Sequence, residues 1–291
     1  MSSPGARFRA ALAAGPTAIP GAFDPLAGRL IARRGFRAAY LSGAAFSAGQ
    51  LALPDVGLFT LSELAEETRR LVRAAEIPIL VDADTGFGEA LSVERTVREL
   101  EAAGAAALQL EDQVLPKRCG HLSGKSLVDA NVMCAKLRAA AAARRDPSFM
   151  IVARTDARDV ESLDAAIARA AAYVAAGADA IFPEALATRE EFAAFRAAIP
   201  VPLIANMTEF GRTTSLTMRD FAQLRYDGVL FPVTLLRAAM KAADEMLTAI
   251  LEHGTVHARL DRMQTHAQLY ELLDYQDYEA RDRDYFGNSS Q

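Results

Sequence analysis

Cysteine is scarce in this chain: Cys119 and Cys134 are the only two among 291 residues. That is too few for a disulfide framework, and a reducing cytoplasm is the expected compartment. Long apolar runs are missing as well, none approaching the roughly 20 residues that cross a bilayer. The start, Met1-Ser2-Ser3-Pro4-Gly5, has no basic segment leading into an apolar stretch, so neither a membrane span nor a secretory signal is expected. With a formal net charge of −5 and no Lys/Arg block, the chain lacks the concentrated basic face that phosphate binding needs, which argues against nucleic acid as a partner. There is no Gly-rich loop ending in Lys-Ser/Thr, and Gly86-Phe87-Gly88 lacks the third glycine and the acid of a dinucleotide fingerprint. Neither ATP nor a nicotinamide cofactor is implied. No Gly/Ser/Pro linker divides the sequence, so residues 1–291 are expected to form a single domain.

What is present is an alternation. Short apolar runs alternate with Ala/Leu/Arg/Glu segments of helical period, which is the sequence form of repeated βα units around a parallel sheet. Strands are predicted at Thr17–Ile19, Ala38–Leu41, Ile77–Val81, Ala106–Leu110, Phe149–Ala153, Ala180–Phe182, Leu203–Ala205 and Gly228–Phe231. Eight such units close a (β/α)₈ TIM-type barrel of the α/β class. Glycines recur where helices give way to strands: Arg34-Gly35-Phe36, Ala103-Gly104-Ala105 and Ala176-Gly177-Ala178. Each reads as a left-handed helix cap. Beyond the eighth strand a helical extension is expected over about 235–291, with helices at Leu235–His253 and Leu260–Leu273 and an end rich in Tyr and acid. It has two uses open to it, packing on a neighbouring subunit or folding back on its own barrel.

In a parallel barrel the chemistry belongs at the carboxyl ends of the strands. Outward from the predicted strands come Ser42-Gly43, Asp82 and Asp84, Glu111 and Asp112, Arg154 and Asp156, Glu184, then Asn206 and Glu209. Asp82, Asp84 and Glu111 supply hard oxygen ligands with no His or thiol among them, a set suited to Mg²⁺ or Mn²⁺ rather than zinc. Arg154 follows its strand and would face the mouth, open to a bidentate carboxylate or to an ion pair with Asp156 or Glu184. Cys119 stands in Lys117-Arg118-Cys119-Gly120-His121, where nearby cations would lower its thiol pKa and a reactive role is expected. Cys134 sits on an apolar helix face and reads as inert. His253 and His257 read as solvent-facing.

With these residues assembled, the chain resembles the isocitrate lyase and phosphoenolpyruvate mutase superfamily, and within it the 2-methylisocitrate lyases most. The resemblance is carried by Tyr40-Leu41-Ser42-Gly43, Leu53-Pro54-Asp55, Val81 to Gly88, Glu111-Asp112-Gln113, Lys117 to His121, Ala153-Arg154-Thr155-Asp156-Ala157, Phe182-Pro183-Glu184-Ala185, Ala205 to Gly211 and Met263-Gln264-Thr265. It implies a barrel of helix-swapped dimers paired into a homotetramer. It also implies Mg²⁺, with Mn²⁺ as the alternative ion, on Asp82 and Asp84, with Asp55 and Glu111 in support largely through water. Ser42, Gly43 and Ala44 would bind the pyruvyl part of a small carboxylic acid. Cys119, Gly120, Arg154, Glu184, Asn206, Met207, Thr208, Arg237 and His266 would form the rest of the substrate shell. The implied reaction is a retro-aldol or Claisen-type cleavage of 2-methylisocitrate to pyruvate and succinate, a step of propionate catabolism. In it Cys119 is the general acid, Arg154 stabilises the departing fragment, and Tyr40 or a metal-ligand carboxylate such as Glu111 is the base. A 2,3-dimethylmalate lyase is the alternative, followed by oxaloacetate decarboxylation or carbon–phosphorus chemistry.

Two positions depart from the family pattern. Leu122-Ser123-Gly124-Lys125 stands where those enzymes commonly carry Arg-Pro-Asn-Lys. His266 stands where an arginine usually follows Met-Gln-Thr and binds a substrate carboxylate. A neutral imidazole is no substitute for a permanent bidentate cation, and a smaller dicarboxylate such as a dimethylmalate would need fewer cations.

Overall fold

A computed structural model describes residues 2–118, 120, 124–211 and 213–287. Among the described residues eight strands are present: β1 Thr17–Ala22, β2 Ala39–Leu41, β3 Ile79–Asp82, β4 Ala107–Glu111, β5 Met150–Thr155, β6 Ala180–Pro183, β7 Ile204–Asn206 and β8 Gly228–Phe231. All pairings are parallel, in the order β6-β5-β4-β3-β2-β1-β8-β7. A parallel bridge between Ile181 and Leu203 joins the two ends of that order. The sheet is therefore a nearly closed barrel with helices around it, the expected TIM-type fold.

Strand boundaries move for identifiable reasons. The third strand starts at Ile79 rather than Ile77 because Pro78 has no N–H to give to a ladder. The fifth runs on to Thr155, since Glu111 pairs with Arg154 and Arg154 with Phe182 in register. The predicted cap glycines are left-handed, with φ of 83° at Gly35, 94° at Gly104 and 110° at Gly177.

Side chains alternate across each strand. One set fills the barrel: Ile19, Tyr40, Leu80, Ala107, Met150, Val152, Phe182, Ile204 and Leu230, joined by Phe8 and Leu12 from the helix Pro4–Ala13. The other set, including Val81, Leu108, Leu110, Ile151, Ala153 and Ile181, packs outward against the helices. This two-residue period places the site, because Ser42, Asp82, Glu111, Arg154, Glu184 and Asn206 continue the inward parity of Tyr40, Leu80, Ala107, Val152, Phe182 and Ile204.

The chain divides into two compact units at Leu236/Arg237, the first holding the whole barrel. The division falls within the helix Thr234–His253. The second unit continues with a 3₁₀ turn at His257–Arg262 and helices His266–Leu272 and Tyr275–Phe286. A single helix over 260–273 is not formed. Thr265 starts a new one, its hydroxyl accepting from Gln268 N–H while the Gln268 side chain accepts from Thr265 N–H, a capping box that ends one helical run and begins another. Among the described residues no helix is long and apolar enough to cross a membrane.

Candidate active site

Three buried carboxylates meet at the mouth of the barrel: Asp82, Asp84 and Glu111 each offer an oxygen, all within 4.8 Å of one another. Asp82 closes β3 and is fixed on both oxygens. Gly43 N–H donates to Oδ2 at 3.1 Å, while Gln109 Nε2 and Asp84 N–H reach Oδ1 at 3.1 and 3.2 Å. Asp84 has a left-handed backbone, φ 47°, and its carbonyl accepts from Glu111 N–H at 2.9 Å, which ties the two loops together. A Cβ on Gly43 would lie 3.1 Å from Asp82 Oδ2 and 3.2 Å from Asp84 Oδ1, so glycine keeps the cluster open on that side.

Three acids in so little water repel one another and resist ionisation. Burial first, with Asp82 and Asp55 adding to it, pushes the Asp84 carboxyl up to about 7 against the pull of Lys117. Burial likewise holds Glu111 well above the ordinary range, opposed by Arg154 and Lys117. Glu111 Oε1 is buried and accepts no hydrogen bond among the described residues. An unpartnered hard oxygen beside two more carboxylates fits a divalent cation of the Mg²⁺ kind.

Lys117 is already there. Its buried ammonium stands 2.8 Å from Asp84 Oδ1 and is also ion-paired with Asp55. Burial opposes its charge, but Asp84, Glu111 and Asp55 outweigh burial and keep it protonated. Asp55 thus lies outside the group of three and joins it through Lys117.

The second half of the site is built around Arg154. Nε and Nη2 fork onto Asp156 at 2.9 and 3.0 Å, while Nη1 lies 3.4 Å from Glu111 and 3.6 Å from Glu184. The guanidinium is stacked over Phe182, 5.3 Å from the ring centroid. Glu184 accepts from Asn206 Nδ2 at 3.2 Å and from Ala185 N–H at 3.1 Å. Gly120 packs directly on this pair. Lys125, fully buried, donates to the Gly120 carbonyl and to Asp156 Oδ1, the latter at 2.9 Å. Behind them Asp112 accepts from Thr155 Oγ1, Asp156 N–H and the Tyr173 hydroxyl at 2.8, 3.0 and 2.8 Å. Both roles expected for Arg154 are compatible: it is ion-paired with Asp156 and Glu184, and it faces the mouth.

Ser42 caps the helix Gly43–Leu51, accepting from Ala45 N–H at 3.3 Å, so Ser42, Gly43 and Ala44 form a helix N-terminus beside the carboxylates and can receive an anionic group. Tyr40 lies below them, its hydroxyl donating to Gln109 Oε1 at 2.7 Å. Burial, then Asp82, holds its proton far above the usual phenol range. Met207 and Thr208 follow β7 at the same end. Cys119 and His121 lie outside the described residues, as do Leu122 and Ser123. Arg237 and His266 belong to the second unit. Cys134 is buried, its sulfur 3.6 Å from the Ala172 carbonyl, and burial pushes its thiol up, while His253 and His257 are exposed.

From the sequence, Gln109 and Lys125 have no expected role, Lys117 is expected only as a cation beside Cys119, and Asp112 only as a polar group at a strand end. Only Gln109 carried a usable signal: a polar side chain two residues before Glu111 in an apolar strand must point the same way, into the barrel.

Residues 8–251 match the family model of phosphoenolpyruvate phosphomutase. The chain belongs to this family. A 2-methylisocitrate lyase of Aeropyrum pernix is 54% identical over 263 residues, covering 90% of this chain and 84% of the relative. Among solved structures, 2,3-dimethylmalate lyase, described as a member of the PEP mutase/isocitrate lyase superfamily, superposes with a TM-score of 0.91 at 30% identity over 99% of this chain and 97% of that one. A phosphonopyruvate hydrolase complex with oxalate and Mg²⁺ gives 0.88 at 31% over 98% and 100%. The superfamily expected from the motifs is the one these relatives belong to.

Proposed function

We propose that the protein is a Mg²⁺-dependent carbon–carbon lyase that cleaves 2-methylisocitrate to pyruvate and succinate. The observation that carries this reading is the buried Asp82–Asp84–Glu111 cluster with its unpartnered Glu111 oxygen, in a chain 54% identical to an enzyme of that name. Asp82, Asp84 and Glu111 would hold the ion, with Asp55 in support. When bound, it supplies a Lewis acid that lowers the proton affinity of the substrate hydroxyl.

The remaining work falls to side chains. The N-terminus of the helix at Ser42-Gly43-Ala44 receives the pyruvyl carboxylate, and Arg154, Gly120, Glu184 and Asn206-Met207-Thr208 hold the other fragment, with Arg237 and His266 completing the shell. Glu111 accepts the hydroxyl proton. Burial raises its proton affinity and suits it to that role, whereas the Tyr40 proton is committed to Gln109. The oxygen's electron pair becomes the carbonyl of pyruvate as the carbon–carbon bond breaks. The pair left on the succinyl carbon is stabilised by Arg154 and takes a proton from the Cys119 thiol.

A second reading, cleavage of a 2,3-dimethylmalate, is favoured by His266 alone, which offers less positive charge than an arginine for a third carboxylate. Pyruvate release followed by coupled reduction to lactate, on 2-methylisocitrate, isocitrate and dimethylmalate with and without EDTA, tests both. EDTA-sensitive pyruvate from 2-methylisocitrate is expected. No pyruvate from any of the three would overturn the lyase assignment, and faster turnover of dimethylmalate would select the second reading. Arg154→Lys, which keeps charge but loses the fork on Asp156, is expected to lower kcat at least about 100-fold.

Assembly is part of the proposal. The first unit carries an apolar groove of about 460 Å³ between β1, β8 and the helix Pro25–Arg33, lined by Leu30, Ile31, Phe36, Met218 and Phe231 among others. In a complete (β/α)₈ barrel an eighth helix covers this place. We propose that a second copy supplies that helix, in helix-swapped dimers that pair into a cytoplasmic homotetramer.

A further inference from the structure

Asp84 reaches the carboxylate cluster from an expensive turn. Asp84, Gly86, Phe87 and Gly88 all have positive φ, at 47°, 91°, 59° and 140°. For Asp84 and Phe87, which carry a Cβ, this is strained backbone. A turn of this kind persists only where its surroundings fix it, and two buried side chains from neighbouring helices do so. Thr96, on the helix Ala90–Ala102, shares its one hydroxyl proton between the Gly86 carbonyl at 3.1 Å and the Ser92 carbonyl at 3.0 Å. Lys136, on the helix Ala130–Ala143, reaches across to donate Nζ to the Thr85 carbonyl at 3.1 Å. Both are buried, Thr96 completely. A lysine there is costly: burial works against its charge, relieved only in part by Glu89. A methionine would fill the same space without that penalty, so the ammonium needs a reason to be present.

Building on the metal-site reading above, we propose that Lys136 and Thr96 are positioning residues for Asp84: by holding consecutive carbonyls of the turn they aim its carboxylate at the cation. Neither is assigned contact with substrate or ion. Their effect passes through the backbone of residues 84–88.

The test uses the full chain with Thr96→Val, Thr96→Ser, Lys136→Met and Lys136→Arg. Mn²⁺ affinity is read from the electron paramagnetic resonance of the free ion, and amide hydrogen exchange is followed over residues 83–88. Thr96→Val changes shape least and carries no charge change; it is expected to weaken Mn²⁺ binding about tenfold, with Thr96→Ser near wild type. Lys136→Met is expected to weaken binding too, although Coulomb's law alone predicts tighter binding once a nearby cation is removed. That sign separates a brace from a charge effect, and Lys136→Arg is expected to restore affinity. Exchange over 83–88 is expected to accelerate in the two weakened variants only. Wild-type affinity and exchange in both Thr96→Val and Lys136→Met would overturn the brace while leaving the metal site intact. A wild-type protein that binds no Mn²⁺ would remove the metal-site reading and the brace with it. Should Lys136→Met not fold, the isosteric Thr96 pair decides.

Discussion

A methyl group does not fit at residue 120. A Cβ there would lie 2.5 Å from Glu184 Cδ and 2.6 Å from Arg154 Nη2, so Gly120→Ala must displace the two side chains that hold the departing fragment. A displacement of about 1 Å at such a site costs on the order of 100-fold in rate. The expected outcome is that loss in kcat/KM with an unfolding temperature within a few degrees of wild type; unchanged kinetics would show that Gly120 does not press on the pair. Asp84 gives a pH prediction. Its carboxyl in the folded chain stands at about 7, above the ordinary 3.8, so it keeps its proton through a window in which an unfolded aspartate has lost it. Ionising it across that window destabilises the ion-free fold, and a cation that needs the carboxylate must expel the proton. Mg²⁺ affinity should therefore rise as pH climbs to about 7 and level off above. Calorimetry in buffers of different ionisation enthalpy should count more protons released at pH 6 than at pH 8.5, the difference being close to the one carried by Asp84. Binding independent of pH across that range would contradict the assignment.

At the scale of the element, what was legible in the sequence followed from backbone chemistry. Apolar runs of four or five residues became strands because a parallel strand is buried on both faces, and Gly104 and Gly177 became caps because only glycine takes a left-handed φ without strain. Gly177→Ala is expected to cost about 1–2 kcal/mol, since its Cβ would also meet Ala141 Cβ at 3.0 Å, whereas Gly15→Ala, at the same φ of 110° but with open space around it, should cost about 1 kcal/mol or less. Urea unfolding of the two variants measures the difference, and equal midpoints would deny any packing role to the cap. Where the expectation failed, the reason was local too. Pro78 delayed a strand, and the Thr265–Gln268 capping box split the segment Leu260–Leu273, expected as one helix, into a 3₁₀ turn and a separate helix. Arg154 and Thr155 remained in the ladder because polar residues at a barrel mouth still pair through their backbones.

The whole molecule decides what no local pattern could. Inward parity placed Asp82, Glu111, Arg154 and Glu184 at one mouth, but the pairing of Lys117 with Asp55, or of Tyr173 with Asp112, joins residues about sixty apart in sequence, and such contacts depend on how loops close over a finished barrel. Assembly is the same problem at larger range. The helix Thr234–His253 exposes Met240, Leu247 and Leu251 at helical spacing, an apolar stripe that water disfavours, and the barrel unit exposes the apolar groove at Leu30 and Phe36. If each stripe fills the groove of another copy, a charge in the groove should block it without touching the mouth. Light scattering on the wild type is expected to give a mass near 125 kDa, about four times the 31.2 kDa chain. Leu30→Arg and Phe36→Glu should shift that mass toward the single chain in a concentration-dependent way, with activity falling in proportion if Arg237 and His266 must arrive with the helix. A fully active wild-type monomer would refute the swap, and variants that stay tetrameric would place the contact on another face.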